Sequence, residues 1–64
     1  YMLLDIGGIV INVNNLVSFK VDKRRSTYYL KIFMLDGSAY NIAYDNTEHL
    51  LRDINFIQEA TKSQ

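Results

Sequence analysis

Strict alternation of apolar and polar residues runs through the first two thirds of this chain, and no proline interrupts it. A period of two is the signature of half-buried strands, because successive side chains in a strand point to opposite faces. The absence of proline leaves every backbone N–H able to join a ladder. The densest part of the pattern is Leu16 to Tyr44, which reads as two successive hairpins. LVSFKVD leads into a basic turn, KRRS. TYYLKIFML then leads through Asp36-Gly37 into SAYNIAY.

Turn chemistry and parity assign the strands. Met2, Leu4 and Ile6 share one face. Gly7-Gly8 supplies two residues that tolerate positive φ, as a two-residue hairpin turn requires. Pairing Ile6 with Ile9 then sets Leu4 opposite Ile11 and Met2 opposite Val13, with all apolar residues on one side. Asn14-Asn15 breaks the pattern. An odd-length loop over Asn14 to Leu16 would pair Val13 with Val17 and Ile11 with Phe19. In the basic hairpin, a loop of Lys23, Arg24, Arg25 and Ser26 pairs Asp22 with Thr27, Val21 with Tyr28 and Phe19 with Leu30. On the other face it brings Lys20 beside Tyr29 and Ser18 beside Lys31. At Asp36-Gly37 a two-residue turn would put Ile32 opposite Asn41. A three-residue loop with Gly37 as a left-handed bulge instead pairs Met34 with Ser38, Ile32 with Tyr40 and Leu30 with Ile42.

After Tyr44 the period changes. Asp45-Asn46-Thr47-Glu48 fits a capping box, with Asp45 as the cap and Glu48 reaching back. Leu50, Leu51, Ile54, Ile57 and Ala60 form a helical stripe. The expected fold class is therefore α+β, mainly β. It is a strongly coiled five-stranded antiparallel meander with one C-terminal helix packed on one face. The chain forms a single small domain over 1–64, with strands near 2–6, 9–13, 17–22, 27–34 and 38–44 and a helix near 46–60. The expected inner set includes Val17 and Val21 beside Phe19, Tyr28, Leu30, Ile32, Tyr40, Ile42 and Tyr44. The hydroxyls of Tyr28, Tyr40 and Tyr44 are expected to reach the sheet margin or water.

Sixty-four residues bury a marginal core, and such domains often gain stability by self-association. With no cysteine, disulfides and thiolate metal sites are excluded. That composition suits a reducing compartment, and a cytoplasmic setting is the expectation. No apolar run approaches a membrane span, and the start is not signal-like. Tyr1 in place of Met fits a chain trimmed or excised from a longer protein. Net charge is zero but unevenly distributed. The stretch from Leu16 to Leu35 carries +4 and the rest −4.

Nothing in the chain forms a catalytic motif. The one histidine, His49, falls in the first helical turn with no cysteine or serine elbow near it. Gly7-Gly8 is not a phosphate loop, since no helix follows it. The expectation is a protein that is not an enzyme and has no metal or cofactor. What the fold leaves over is the outer face of the sheet. There Tyr29 and Phe33 alternate with Lys31, beside Lys20 and Asn41, while Ala39 and Ala43 form gaps. Aromatic residues are typical interface anchors, so this strip or an edge strand is expected to bind another protein, most simply as a homo-oligomer with a dimer favoured. A regulatory or accessory role suits such a module. The alternative partner is single-stranded nucleic acid. Tyr29 and Phe33 would stack bases, while Lys20, Lys31 and the tip residues Lys23, Arg24 and Arg25 track phosphates.

GIVINVNNLVSFKV followed by LDGSAYNIAY resembles the strand pattern of small flagellar-operon proteins. VNNLVSFKV through LDGSAYNI to LLRDINFI is similar in rhythm to the first half of LytTR-type DNA-binding domains, which would imply DNA as a partner. Both likenesses rest on alternation and an Asp-Gly turn that any meander followed by a helix shares. Neither carries a residue assignment.

Overall fold

The computed structural model describes residues 3–62. Five strands and one helix follow in order. They are β1 (Leu3–Ile6), β2 (Ile9–Asn12), a 3-10 turn (Val13–Asn15), β3 (Leu16–Arg24), β4 (Thr27–Met34), β5 (Ala39–Tyr44) and α1 (Thr47–Lys62). The mainly β, antiparallel class with a C-terminal helix stands as expected. The strands are divided between two sheets, β1-β2 and β3-β4-β5.

The glycine hairpin folds in the expected register, with Ile6 opposite Ile9 and Leu4 opposite Ile11. The expected Met2–Val13 pair involves Met2, outside the described residues. Pairing of β2 with β3 does not form, so Val13 does not meet Val17 and Ile11 does not meet Phe19. The reason is local. The Asn12 side chain accepts a hydrogen bond from the Asn14 N–H at 3.1 Å and nucleates the 3-10 turn. The chain then turns away while Val13, 2% exposed, enters the core.

Between β3 and β4 the ladder is two residues out from the expected one. Arg24 pairs with Thr27, Lys23 with Tyr28, Val21 with Leu30, Lys20 with Lys31 and Phe19 with Ile32. The connection is the two residues Arg25-Ser26, with Arg25 at φ 58°. A slip of two keeps every face, so Phe19 and Val21 still point inward. At the start of β3 the register shifts between Leu16 and Ser18, leaving Val17 as the extra residue. This bulge corrects the inner set, since Leu16 packs on the core and Val17 is 61% exposed. The β4-β5 ladder is the expected one throughout, with Ile32 opposite Tyr40 and Leu30 opposite Ile42. Its turn is the bulged loop. Met34 N–H donates to Ser38 O (2.9 Å), Gly37 N–H donates to Met34 O (3.1 Å), and Gly37 has φ 92°.

Ile6, Ile11, Leu30, Ile32, Ile42, Tyr44, Leu50 and Ile57 form one buried cluster joining both sheets and the helix. Gly7, at φ 57°, holds the β1-β2 turn against β5. A Cβ there would come within 2.6 Å of Ile42 Cγ2. The helix is capped by Asn46 rather than Asp45, its side chain accepting from the Glu48 N–H at 2.7 Å. Its buried residues are Leu50, Asp53, Ile57 and Ala60, whereas Leu51 is 58% exposed. The true stripe therefore lies one position away from Leu51 and contains a carboxylate.

Candidate interaction surface

The three-stranded sheet arranges its outer face in rows across β3, β4 and β5. One row is Ser18, Phe33 and Ala39; the next is Lys20, Lys31 and Asn41; the third is Asp22, Tyr29 and Ala43. All five residues expected to form the strip (Tyr29, Phe33, Lys31, Lys20 and Asn41) therefore share this face. Phe33 lies beside Ala39, Tyr29 beside Ala43 and Lys31 beside Asn41, as expected. Lys20 faces Lys31 rather than Tyr29, and Asp22 takes the place beside Tyr29.

That exchange changes the electrostatics. Two ammonium groups directly opposite each other across a ladder repel. The Lys20 Nζ sits 6.0 Å from the centre of the Phe33 ring, on a favourable cation–π approach. A shallow depression of about 400 Å³ is lined by Lys20, Lys31, Phe33, Ala39, Tyr40 and Asn41. A smaller one of about 210 Å³ lies beside Asp22, Arg24, Tyr29, Lys31 and Asn41.

The basic tip is not one patch. Lys23 is on the inner face, with its Nζ 5.3 Å from the Tyr28 ring centre. Arg24 is on the outer face, its Nε 3.2 Å from Asp22 Oδ2. Arg25 forms the exposed corner between them. The three positive charges of the tip are thus divided between the two faces and the corner, and one is already paired.

The most exposed apolar surface of the sheet lies elsewhere, along the edge of β3. This nine-residue strand has no buried residue, and among the described residues it pairs with β4 alone. Val17 is 61% exposed and Val21 44%. The buried cluster draws on β4 and β5, whereas on β3 Leu16 and Phe19 pack only partly against it and Val21 stays 44% exposed. Alternation fixes which backbone groups are unpaired there. Met34 N–H points to β5 and Leu35 N–H to Asn15 O (2.7 Å), so on β4 the odd residues bond to β3. Their partners are Ser18, Lys20, Asp22 and Arg24. The N–H and C=O of Phe19, Val21 and Lys23 therefore point outward along the free edge. In the sequence Val17 and Val21 read as inward core residues. Alternation tells a face from its reverse but does not tell a covered strand from an edge.

One buried polar pair escaped the sequence reading as well. Tyr44, 7% exposed, donates its hydroxyl to Asp53 Oδ2 at 2.5 Å, rather than reaching the margin. Asp53 is 3% exposed, and its Oδ1 lies 3.4 Å from the Arg52 Nε. Burial raises the Tyr44 hydroxyl pKa well above its ordinary value, and the hydrogen bond to Asp53 and its charge add to this. The signal was available, for Leu50, Asp53, Ile57 and Ala60 are spaced as one helical face. The pair is closed off inside the fold and ties α1 to β5. His49 is exposed in the first turn of the helix.

No protein-family model, curated protein or solved structure matches this chain. Among the described residues no helix is long and apolar enough to cross a membrane.

Proposed function

We propose that the chain is a non-enzymatic protein-interaction module that self-associates as a dimer through the open edge of β3. The observation that carries this reading is the edge itself. It is long, is regular from Ser18 to Arg24, has no proline, and exposes Val17 at its bulge and Val21 at its centre. Natural edge strands are normally shortened, covered, or blunted by inward-pointing charge. Here the bulge at Val17 and the charges of Lys20 and Lys23 temper the edge, but the run from Ser18 to Arg24 between bulge and corner stays regular and uncovered. A domain of this size gains much from covering Val21 and the edge beside it. A cysteine-free, intracellular accessory or regulatory role accords with it. Sedimentation equilibrium tests the proposal. The wild-type chain should sediment as a dimer, and Val21→Lys, which puts a charge on the open edge, as a folded monomer. Wild-type mass of a monomer at all concentrations, or a dimer untouched by Val21→Lys but lost in Phe33→Lys, would move the interface off β3.

A second reading rests on the Lys20–Lys31 row. Two repelling ammonium groups beside Phe33 and Tyr29 suit the phosphates and bases of single-stranded nucleic acid. Binding of a fluorescent oligonucleotide, with affinity falling steeply as salt rises, supports this reading; no binding at low salt removes it.

A further inference from the structure

We infer that the partner on the β3 edge is a second copy of the chain, paired antiparallel with Val21 on the two-fold axis. This rests on the self-association reading and adds its register. Three observations select it.

The first is length. The bulge at Val17 ends the regular part of β3 on one side, and the corner at Arg25 ends it on the other. Between them lie residues 18–24, whose midpoint is Val21. Only pairing centred there uses the whole regular strand from both copies. The second is alternation. Phe19, Val21 and Lys23 present their backbone groups to the edge, so a hydrogen-bonded pair must join two of these. Val21 then meets the partner's Val21, and Phe19 meets the partner's Lys23. A slip of one residue would turn one copy's core face outward.

The third is charge. With Val21 on the axis, Lys20 lies opposite the partner's Asp22, twice by symmetry. Sliding two residues one way sets Lys20 against the partner's Lys20. Sliding two the other way sets Asp22 against the partner's Asp22. Both neighbouring registers place like charges in contact, and the central one does not. It also answers the repulsion within each copy. The outer row becomes Asn41, Lys31 and Lys20, then Asp22, Tyr29 and Ala43 of the partner, with a carboxylate beside the lysine pair. Asp22 Oδ2 is held by Arg24, which leaves Oδ1 for the partner's Lys20.

The chain contains no cysteine, so single substitutions read the register directly. Facing Cα atoms in a hydrogen-bonded antiparallel pair are about 5.5 Å apart, within disulfide range. On mild oxidation Val21→Cys should give a disulfide-linked dimer. Phe19→Cys and Lys23→Cys should not link to themselves but should link when mixed. Self-linking of Phe19→Cys, or linking of Phe19→Cys to Val21→Cys, overturns the register. So does failure of Val21→Cys to link while the wild-type chain still sediments as a dimer. In those cases self-association stands. A wild-type monomer removes both. Charge exchange gives an independent check. Lys20→Asp and Asp22→Lys should each raise the dimer dissociation constant about tenfold. Mixed in equal amounts they should restore it, because each opposite pair is again one acid and one base. Absence of that mutual rescue counts against the register.

Discussion

At the scale of single residues, the Tyr44–Asp53 bond and Gly7 decide how the layers hold together. Tyr44→Phe leaves a buried carboxylate without its hydroxyl donor. The loss should be about 2 kcal/mol, measured by urea unfolding at fixed protein concentration. The same bond sets a pH dependence. An unfolded tyrosine ionises near 10.0, and burial beside Asp53 keeps the folded one protonated well beyond that. The stabilisation is therefore complete below pH 10 and is lost as pH rises from there toward the folded value. Unfolding curves at about pH 9 and pH 11 should show a steeper loss for the wild-type chain than for Tyr44→Phe. Gly7 and Gly37 both have positive φ, so alanine at either incurs left-handed strain of about 1–2 kcal/mol. Only at Gly7 does the new methyl strike Ile42, while nothing lies within 4 Å at Gly37. Gly7→Ala should exceed Gly37→Ala by about 1 kcal/mol or more in the same assay. The sequence marked Gly7 as a turn residue. Its packing role was not legible, because it depends on a strand some thirty-five positions away.

At the scale of elements, what alternation can and cannot encode becomes visible. The β1-β2 and β4-β5 registers were readable because Gly7-Gly8 and Gly37 pin their loops. The β3-β4 register was readable only in parity. Slips of two leave the faces unchanged, and no glycine marks the corner where Arg25 takes positive φ. That unmarked slip replaced the Lys20–Tyr29 neighbours with Lys20–Lys31, and so altered the charge of the candidate site. The helix start shows a similar limit. Asp45 and Asn46 are both good caps, and the choice between them follows from where β5 releases the chain. Asn46→Ala should cost about 1 kcal/mol, and Asp45→Ala close to none, in thermal or urea unfolding.

At the scale of the whole molecule, the question is why a chain of this size leaves one nine-residue strand without a single buried residue. The helix and the first hairpin together close over β4 and β5, and the 3-10 turn at Val13–Asn15 keeps the hairpin from extending onto β3. In the sequence, sixty-four residues already point to a marginal core. Which strand would be left at an edge was not legible, because that depends on the β2-β3 separation that Asn12 introduces. A second copy paired along β3 would cover Val21 and satisfy the outward backbone groups of Phe19, Val21 and Lys23 in one step. Folding and association are then linked, because burying this edge stabilises the folded chain only when a partner is present. The midpoint of thermal unfolding should therefore rise with protein concentration. For Val21→Lys, which keeps the monomer's contacts but repels its own copy at the axis, the midpoint should not move with concentration. A concentration series of calorimetric scans on both chains reads this directly. A wild-type midpoint that stays fixed over a hundredfold range would mean that the edge of β3 is tolerated in water and that the domain is stable alone.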